Sequence, residues 1–338
     1  MHSIYLCLSY LFHVFAGIFL KIRVFKKKED RIRYKEKLGI YKKKNTDSVL
    51  WFHASSLGEI KSILPLIFYY NKKNKKILIT TVTKSSAEYC KSIFKKNSNI
   101  IHQYAPLDTP IIVNKFLIKK FQIKKIKYLG NLKFCEDIQT YNVSKNNDKN
   151  KIPKWVAMST HNGEESFIID TMKKIKEKKI QSQCYLIPRH IDRVSKIKSL
   201  IEDHNLTYTL HSKKIKKNKV NDFFIVDSYG QANQFLKQTN VVFIGGTIVN
   251  HGGQNPLEAA RVGCRIFNGP FTQNFTEIFD FLKKNKISQL IKNKDELADQ
   301  LIKCFTTSSK QVAIKRIIKK RGQKILLDHI NYLNPYIN

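Results

Sequence analysis

Val241-Val242-Phe243-Ile244-Gly245-Gly246-Thr247-Ile248-Val249-Asn250-His251-Gly252-Gly253-Gln254-Asn255-Pro256-Leu257-Glu258 is the stretch on which the fold turns. Val241 to Ile244 reads as a buried strand, two Gly pairs bracket the junction, and a helix runs from Asn255 with Pro256 in its first turn. A strand that passes the chain to a helix in this way is the unit of a parallel α/β sheet. The junction lies where such sheets hold ligands. Its glycines permit close backbone approach, and Glu258, one turn in, is placed for a ribose diol while the helix N-terminus faces a phosphate. The competing reading is a glycine-rich tight turn with no ligand.

The same alternation runs outward in both directions. Before it come strands at Trp155 to Met158, Gln183 to Ile187 and Asp222 to Val226, with helices starting at Glu164, Arg193 and Gln231. Nearer the amino terminus, strands at Ser48 to His53, Lys76 to Val82 and Ile100 to Tyr104 alternate with helices at Gly58 to Tyr70, Ser85 to Phe94 and Pro110 to Phe121. Ser144 to Lys151 is polar, lysine-rich and poor in apolar residues, which marks a linker. The expected organisation is α/β, with two Rossmann-like lobes over residues 23–143 and 152–338, joined at 144–151. No fixed short repeat is present, which excludes a solenoid.

Composition bounds the function. A chain of 338 residues at 42% hydrophobic can bury full cores, and collagen-like or wholly disordered classes are excluded. Lys+Arg 62 against Asp+Glu 26 leaves a formal charge of +36, pointing to anionic partners. Of those basic residues only 9 are Arg, and the lysines fall in surface-like runs such as Lys26-Lys27-Lys28 and Lys42-Lys43-Lys44. A solvated lysine-rich face explains them without nucleic acid, and no RRM, KH or helix-turn-helix signature is present. Cys7, Cys90, Cys135, Cys184, Cys264 and Cys304 are scattered with no C-x-x-C pair, so they read as free thiols in a reducing compartment rather than as disulfides or metal ligands. The lack of G-x-G-x-x-G, Walker and H-E-x-x-H patterns leaves NAD, ATP and zinc-protease readings without support.

Ser3 to Leu20 carries no formal charge over 18 positions and is followed by Lys21, Arg23 and Lys26 to Lys28. That pattern predicts a membrane anchor over residues 1–22 with the positive flank, and hence the rest of the chain, on the cytoplasmic side. Tyr10 and His13 leave an interfacial segment as the alternative.

Two further strand ends carry candidate chemistry. His53-Ala54-Ser55-Ser56-Leu57-Gly58-Glu59 puts a carboxylate at the mouth of the first sheet, either as a group aimed at substrate or as the last member of a Ser-x-x-Glu capping box. Ser159-Thr160-His161-Asn162-Gly163-Glu164-Glu165 repeats that choice in the second lobe. Pro188-Arg189-His190-Ile191-Asp192-Arg193 places two of the rare arginines within five residues, a hint of planar phosphate or carboxylate recognition.

Taken together, these segments resemble the bacterial 3-deoxy-D-manno-octulosonic acid (Kdo) transferase family. The resemblance is carried by Arg33 to Gly39 with Glu36, His53 to Glu59, Thr80-Thr81-Val82-Thr83, Pro106-Leu107-Asp108 and Gly130-Asn131-Leu132-Lys133-Phe134. It continues through Ser159 to Glu164, Pro188-Arg189-His190 with Arg193, Gly252 to Glu258, and Asn274-Phe275 with Glu277-Ile278. What the resemblance implies is a GT-B-type glycosyltransferase at the cytoplasmic face of the inner membrane. It would move Kdo from CMP-Kdo to the lipid A precursor by inversion, with no metal and no cofactor. Glu59 would be the general base and Lys133 would stabilise transition-state charge. Pro188, Arg189, Tyr229-Gly230-Gln231, and Asn255, Pro256, Leu257 and Glu258 would hold the CMP moiety.

The chain also departs from the family. Between the helix matching Asn114 to Phe121 and the Gly-Asn-Leu-Lys segment the family has a long stretch with E-x-E-x-W-P-N and N-A-R-x-S segments, whereas Gln122 to Leu129 is all that stands here. Cys135 replaces Asp, Gln254 the usual His, and Gln231 Glu. The first lobe is therefore expected to be shortened. A member impaired in catalysis, or a GT-B transferase for another nucleotide sugar, is the alternative.

Overall fold

The structure is a computed structural model and describes residues 15–41, 49–95, 97–107, 109, 112, 127–136, 152–213, 220–307 and 311–337. The chain divides into two units, Met1–Asp137 with Arg321–Asn338, and Ile138–Lys320.

In the first unit, β1 (Leu50–Ala54), β2 (Ile77–Thr81) and β3 (Ile100–Tyr104) form a parallel sheet in that order. All five positions of the central strand β2 are buried, as its β-branched run of Ile and Thr requires. α1 (Leu57–Lys72) and α2 (Lys84–Phe94) follow β1 and β2, and each starts at a hydroxyl cap: Ser56 accepts from the Glu59 amide and Thr83 from the Ser86 amide. Ile60, Ile63, Leu66, Ile67 and Tyr70 of α1 pack on Ile77 and Ile79 of β2.

The same core takes in Ile330, with Leu326 and Leu333 against it, from the long carboxyl-terminal helix α9 (Gln311–Leu333). Residues 321–338, expected with the second lobe, therefore group with the first. Burying an aliphatic side chain such as Ile330 stabilises by about 2 kcal/mol, enough to hold the end of the helix here. Residues 1–14 of the expected anchor over 1–22, the linker 144–151 and, apart from Ile112, the expected helix over 110–121 lie outside the described residues. Residues 15–22 of that segment lie in a helix over 15–25, and among the described residues no helix is long and apolar enough to cross a membrane.

Among the described residues the second unit holds seven parallel strands: β4 (Lys154–Thr160), β5 (Gln183–Pro188), β6 (Tyr208–Leu210), β7 (Phe223–Ile225), β8 (Val241–Ile244), β9 (Arg265–Asn268) and β10 (Ser288–Leu290). Their order is β10-β9-β8-β4-β5-β7-β6. Interleaved are α3 (Glu164–Glu177), α4 (Val194–Asp203), α5 (Ala232–Leu236), α6 (Leu257–Arg261), α7 (Thr276–Lys284) and α8 (Lys294–Thr306), ahead of α9. The core joins Trp155, Ala157, Leu186, Phe223, Phe243 and Phe267 of the strands to Ile168, Met172, Ile197 and Leu301 of the helices. The chain leaves β4 toward β5 on one side and returns as β8 on the other. β4 is thus the point where the winding reverses, and the crevice beyond its carboxyl end is where such sheets bind ligands. Among the described residues Cys90, Cys135, Cys184, Cys264 and Cys304 are free thiols.

Candidate functional site

In the first unit the carboxyl end of β1 passes directly into the cap of α1. Glu59 is exposed; its Oε2 accepts from the Ser55 amide at 2.8 Å and its Oε1 from the Ser56 hydroxyl at 3.2 Å, while its own amide donates back to Ser56 Oγ at 3.3 Å. The capping arrangement that the sequence left open is therefore formed, and it orients the carboxylate without removing it from solvent. Beside it, Thr80 Oγ1 of β2 receives the Trp51 indole N–H at 2.8 Å and lies 2.9 Å from His53 Nδ1.

Arg33 and Glu36 explain why that early segment carries a motif. The Arg33 guanidinium donates to both Glu36 oxygens, at 2.7 and 2.8 Å, and to the His102 carbonyl at 2.9 Å. Glu36 Oε2 in turn accepts the Tyr104 amide at 2.8 Å. The segment is thereby tied to the end of β3, and Gly39 at φ 74 closes its helical turn. Burial, and then the Arg33 charge, hold the His102 imidazole down to about 4.

Lys133 lies on a short helical turn, Leu132–Cys135, capped by Asn131, whose side chain accepts the Lys133 amide at 3.0 Å. Two glycines seat this turn against α9. Gly130 has φ +101, and a Cβ on Gly322 would lie 2.4 Å from the Phe134 carbonyl oxygen. Cys135 Sγ, where the family has Asp, donates to the Gly322 carbonyl at 3.2 Å.

In the second unit the candidate residues gather at the carboxyl edge of the sheet. Arg189 follows β5; its backbone amide donates to the Thr160 carbonyl at 3.0 Å, and its exposed guanidinium has no hydrogen bond or ion pair among the described residues. Pro188 is the buried last residue of β5. Tyr229, 64% exposed, and Gly230, at φ +81 with open space around it, form the turn after β7, and Gln231 is the N-cap of α5. Asn255 Oδ1 accepts the Leu257 amide at 3.1 Å. Pro256 is buried and Leu257 fully so, because α6 turns its apolar residues into the core; Glu258 stands exposed in the first turn.

The first glycine pair does not face a ligand. Glu164, completely buried, accepts four backbone N–H groups: His161 at 2.9 Å, Gly246 at 2.7 Å, Thr247 at 2.9 Å and Ile248 at 2.9 Å. The amides after β8 are thus occupied by the chain's own carboxylate, which clamps that loop to the start of α3. Gly245 is required by the same closeness, since a Cβ there would lie 2.4 Å from the Ser159 carbonyl oxygen. Glu165 is likewise structural: Arg193 grips both its oxygens, at 2.7 and 3.0 Å. Of the two arginines that suggested anion recognition, Arg189 alone is uncommitted.

Three histidines converge beside it. The His161 and His251 rings stack at 4.3 Å, and His190 meets His161 edge-on at 6.1 Å. Burial first, then the neighbouring His251, His190 and Arg189, push His161 down to about 4, so it is a neutral imidazole at neutral pH. The buried Thr160 hydroxyl has no hydrogen-bond partner among the described residues. Sequence reasoning did not single out this cluster; its one signal is that each histidine follows a strand end. Among the described residues no group of His, Cys, Asp and Glu could hold a metal ion.

Residues 32–126 match the family described as 3-Deoxy-D-manno-octulosonic-acid transferase (kdotransferase). The chain is a relative of the Kdo transferases. A 3-deoxy-D-manno-octulosonic acid transferase of Rickettsia bellii is 26% identical over 422 positions, covering 99% of this chain and all of the relative. That alignment is longer than the 338 residues of this chain, so the relative contains residues with no counterpart here. A bifunctional glycosyltransferase/methyltransferase of Fusobacterium nucleatum is 27% identical over 286 residues, and the match covers 76% of this chain and 43% of that relative. Among solved structures, a glycosyltransferase from Rickettsia africae ESF-5 shares the fold at TM-score 0.53 and 11% identity, over 84% of this chain and 96% of the other.

Proposed function

We propose that the protein transfers Kdo from CMP-Kdo to the lipid A precursor at the cytoplasmic face of the inner membrane, with residues 1–22 as its anchor. The observation that carries the reading is the gathering of Arg189, Tyr229, Gly230, Gln231, Asn255 and Glu258 at the carboxyl edge of β5, β7 and β8, in a chain related to Kdo transferases. Arg189 supplies an uncommitted guanidinium for the single phosphate of CMP, and Glu258 a carboxylate for the ribose hydroxyls. Tyr229 offers an exposed ring to the base. Pro188, Pro256 and Leu257 contribute through the backbone course they fix rather than through their buried side chains.

In the reaction, the acceptor hydroxyl oxygen forms a bond to the anomeric carbon of Kdo from the face opposite CMP. The bond from that carbon to the phosphate oxygen breaks, and its electron pair leaves on CMP. Glu59 takes the hydroxyl proton, the Lys133 ammonium offsets charge developing at the reacting centre, and inversion follows from the single displacement. Incubation of the purified protein with CMP-Kdo and lipid A precursor, followed by mass analysis of the lipid, tests this. Added Kdo mass is the expected result; an unmodified lipid together with released CMP would point to hydrolysis or another acceptor.

A second reading has its own support. The three strands described in the first sheet, and the short Gln122 to Leu129 stretch where the family has a longer one, support a member whose acceptor unit is reduced, so that donor binding outlasts transfer. Donor competition among CMP-Kdo, CMP-sialate and UDP-sugars separates both from a transferase of another nucleotide sugar.

A further inference from the structure

A cavity of about 700 Å³ opens in the second unit at the amino-terminal ends of β9 and β10. Because the strands are parallel, it lies at the opposite edge of the sheet from Arg189 and Glu258. Its volume is that of an organic ligand site, roughly 300–1,000 Å³. The end of α7, one side of α8 and the first turns of α9 wall it.

Four basic residues line this cavity, Arg265, Lys283, Lys286 and Lys303, and no acidic one does. In a chain with 62 basic and 26 acidic residues a cationic wall alone means little. Arg265 says more. It opens β9, is partly buried, and its guanidinium donates at 2.8 Å to the neutral Gln289. Neither it nor the three lysines has an ion-pair partner among the described residues. A guanidinium drawn from water without a counter-ion is destabilising until an anion joins it.

The facing wall is apolar, with Ile314 buried and Ile317 partly so. That wall is also fixed. Gln311 Nε2 donates to the Thr239 carbonyl at 3.1 Å and to Asn240 Oδ1 at 2.5 Å. Gly263, at φ +87, lets α9 close in, since a Cβ there would lie 2.7 Å from the Gln311 carbonyl oxygen.

We propose that this cavity binds an anionic amphiphile. Its phosphate or carboxylate head sits on Arg265 among Lys283, Lys286 and Lys303, and its apolar chain runs along Ile314 and Ile317. The site is independent of the nucleotide-sugar reading and stands or falls without it.

Calorimetric titration of the full-length protein with dodecyl phosphate below its micellar concentration tests the proposal, with inorganic phosphate and the neutral dodecyl maltoside as comparison ligands. Saturable one-to-one binding of dodecyl phosphate is expected, with each comparison ligand at least ten-fold weaker. Arg265→Gln should weaken dodecyl phosphate at least ten-fold. Because Arg265 also stacks at 5.7 Å on Phe267, the exposed Lys303→Glu serves as a variant that spares the core and should weaken binding several-fold. Cys304 lines the cavity, so bound dodecyl phosphate should also slow its alkylation. Unchanged affinity in both variants, equal binding of dodecyl maltoside, equal binding of inorganic phosphate, or unslowed alkylation of Cys304 would each overturn it.

Discussion

Glu59 is a helix cap by its hydrogen bonds and a candidate base by its exposure, and one substitution separates the two. Glutamine keeps an oxygen for the Ser55 amide but cannot accept a proton at neutral pH. Glu59→Gln should therefore abolish Kdo transfer, leave CMP affinity within two-fold, and cost stability by about 1 kcal/mol or less. Parallel activity assays and thermal unfolding check this; wild-type turnover with reduced stability would make Glu59 a cap alone. The partly buried histidines carry a pH dependence of defined sign. His102 and His161 are both held down to about 4 from an ordinary 6.5, so below 6.5 the unfolded chain takes up protons that the folded chain refuses. Their contribution is complete above pH 6.5 and is lost as pH falls toward 4, more strongly for His102, since solvent screens the more open His161. Urea midpoints for wild type should drop between pH 6.5 and 5, and His102→Gln with His161→Gln should flatten that slope.

At the scale of elements, what the sequence disclosed depended on length and on burial. Val241–Ile244 stands at the residues its apolar run predicted, because a central parallel strand is apolar throughout; Ile100–Tyr104, at the edge of the first sheet, also stands where it was expected, although His102 and Gln103 interrupt its apolar run. β6, β9 and β10 were not anticipated: each has three or four residues, and polar positions in Tyr208–Leu210, Arg265–Asn268 and Ser288–Leu290 break any periodic signal. The placement of Arg189 and Glu258 at the carboxyl edge of the second sheet was legible, because rare or charged residues stood at strand–helix junctions. The role of Glu164 was not, since a carboxylate's four amide partners lie more than eighty positions away for all but one of them. α9 was the least legible element of all, for its first turns pack in one unit and its end in the other. Gly322 is where that shows most sharply. In a free helix alanine would be better than glycine by about 1 kcal/mol. Here its Cβ would sit 2.4 Å from the Phe134 carbonyl, a contact with backbone that no rotamer relieves. Overpacking of that kind costs about 1–3 kcal/mol and outweighs the propensity gain. Gly322→Ala should thus lower the unfolding midpoint and, by displacing the turn that bears Lys133, reduce transfer with no loss of CMP affinity; a raised midpoint would show that the turn yields freely.

Across the whole chain, the two units carry different parts of the proposed reaction. Among the described residues the second has a seven-stranded sheet with a winding reversal and a loop clamp at Glu164, and the first a three-stranded sheet. Every residue assigned to CMP belongs to the second unit, while Glu59 and Lys133 belong to the first. Donor binding is therefore expected to persist whatever the state of transfer. The Arg189 guanidinium has no hydrogen bond or ion pair among the described residues, so its contact with a phosphate would be charge-assisted, and Glu258, exposed in the first turn of α6, would accept from ribose hydroxyls. Loss of either should weaken CMP by about 1.5–3 kcal/mol, or ten- to a hundred-fold. Arg193→Ala gives the contrast, because its guanidinium already holds Glu165; it should lower the unfolding midpoint by removing the partner of a buried carboxylate. Calorimetric titration of CMP into wild type, Arg189→Ala and Glu258→Ala, each checked for an unchanged unfolding midpoint, measures the difference. Equal affinity in all three would mean that the second unit keeps the fold of a donor site without its function, and the kinship with Kdo transferases would then be one of ancestry alone.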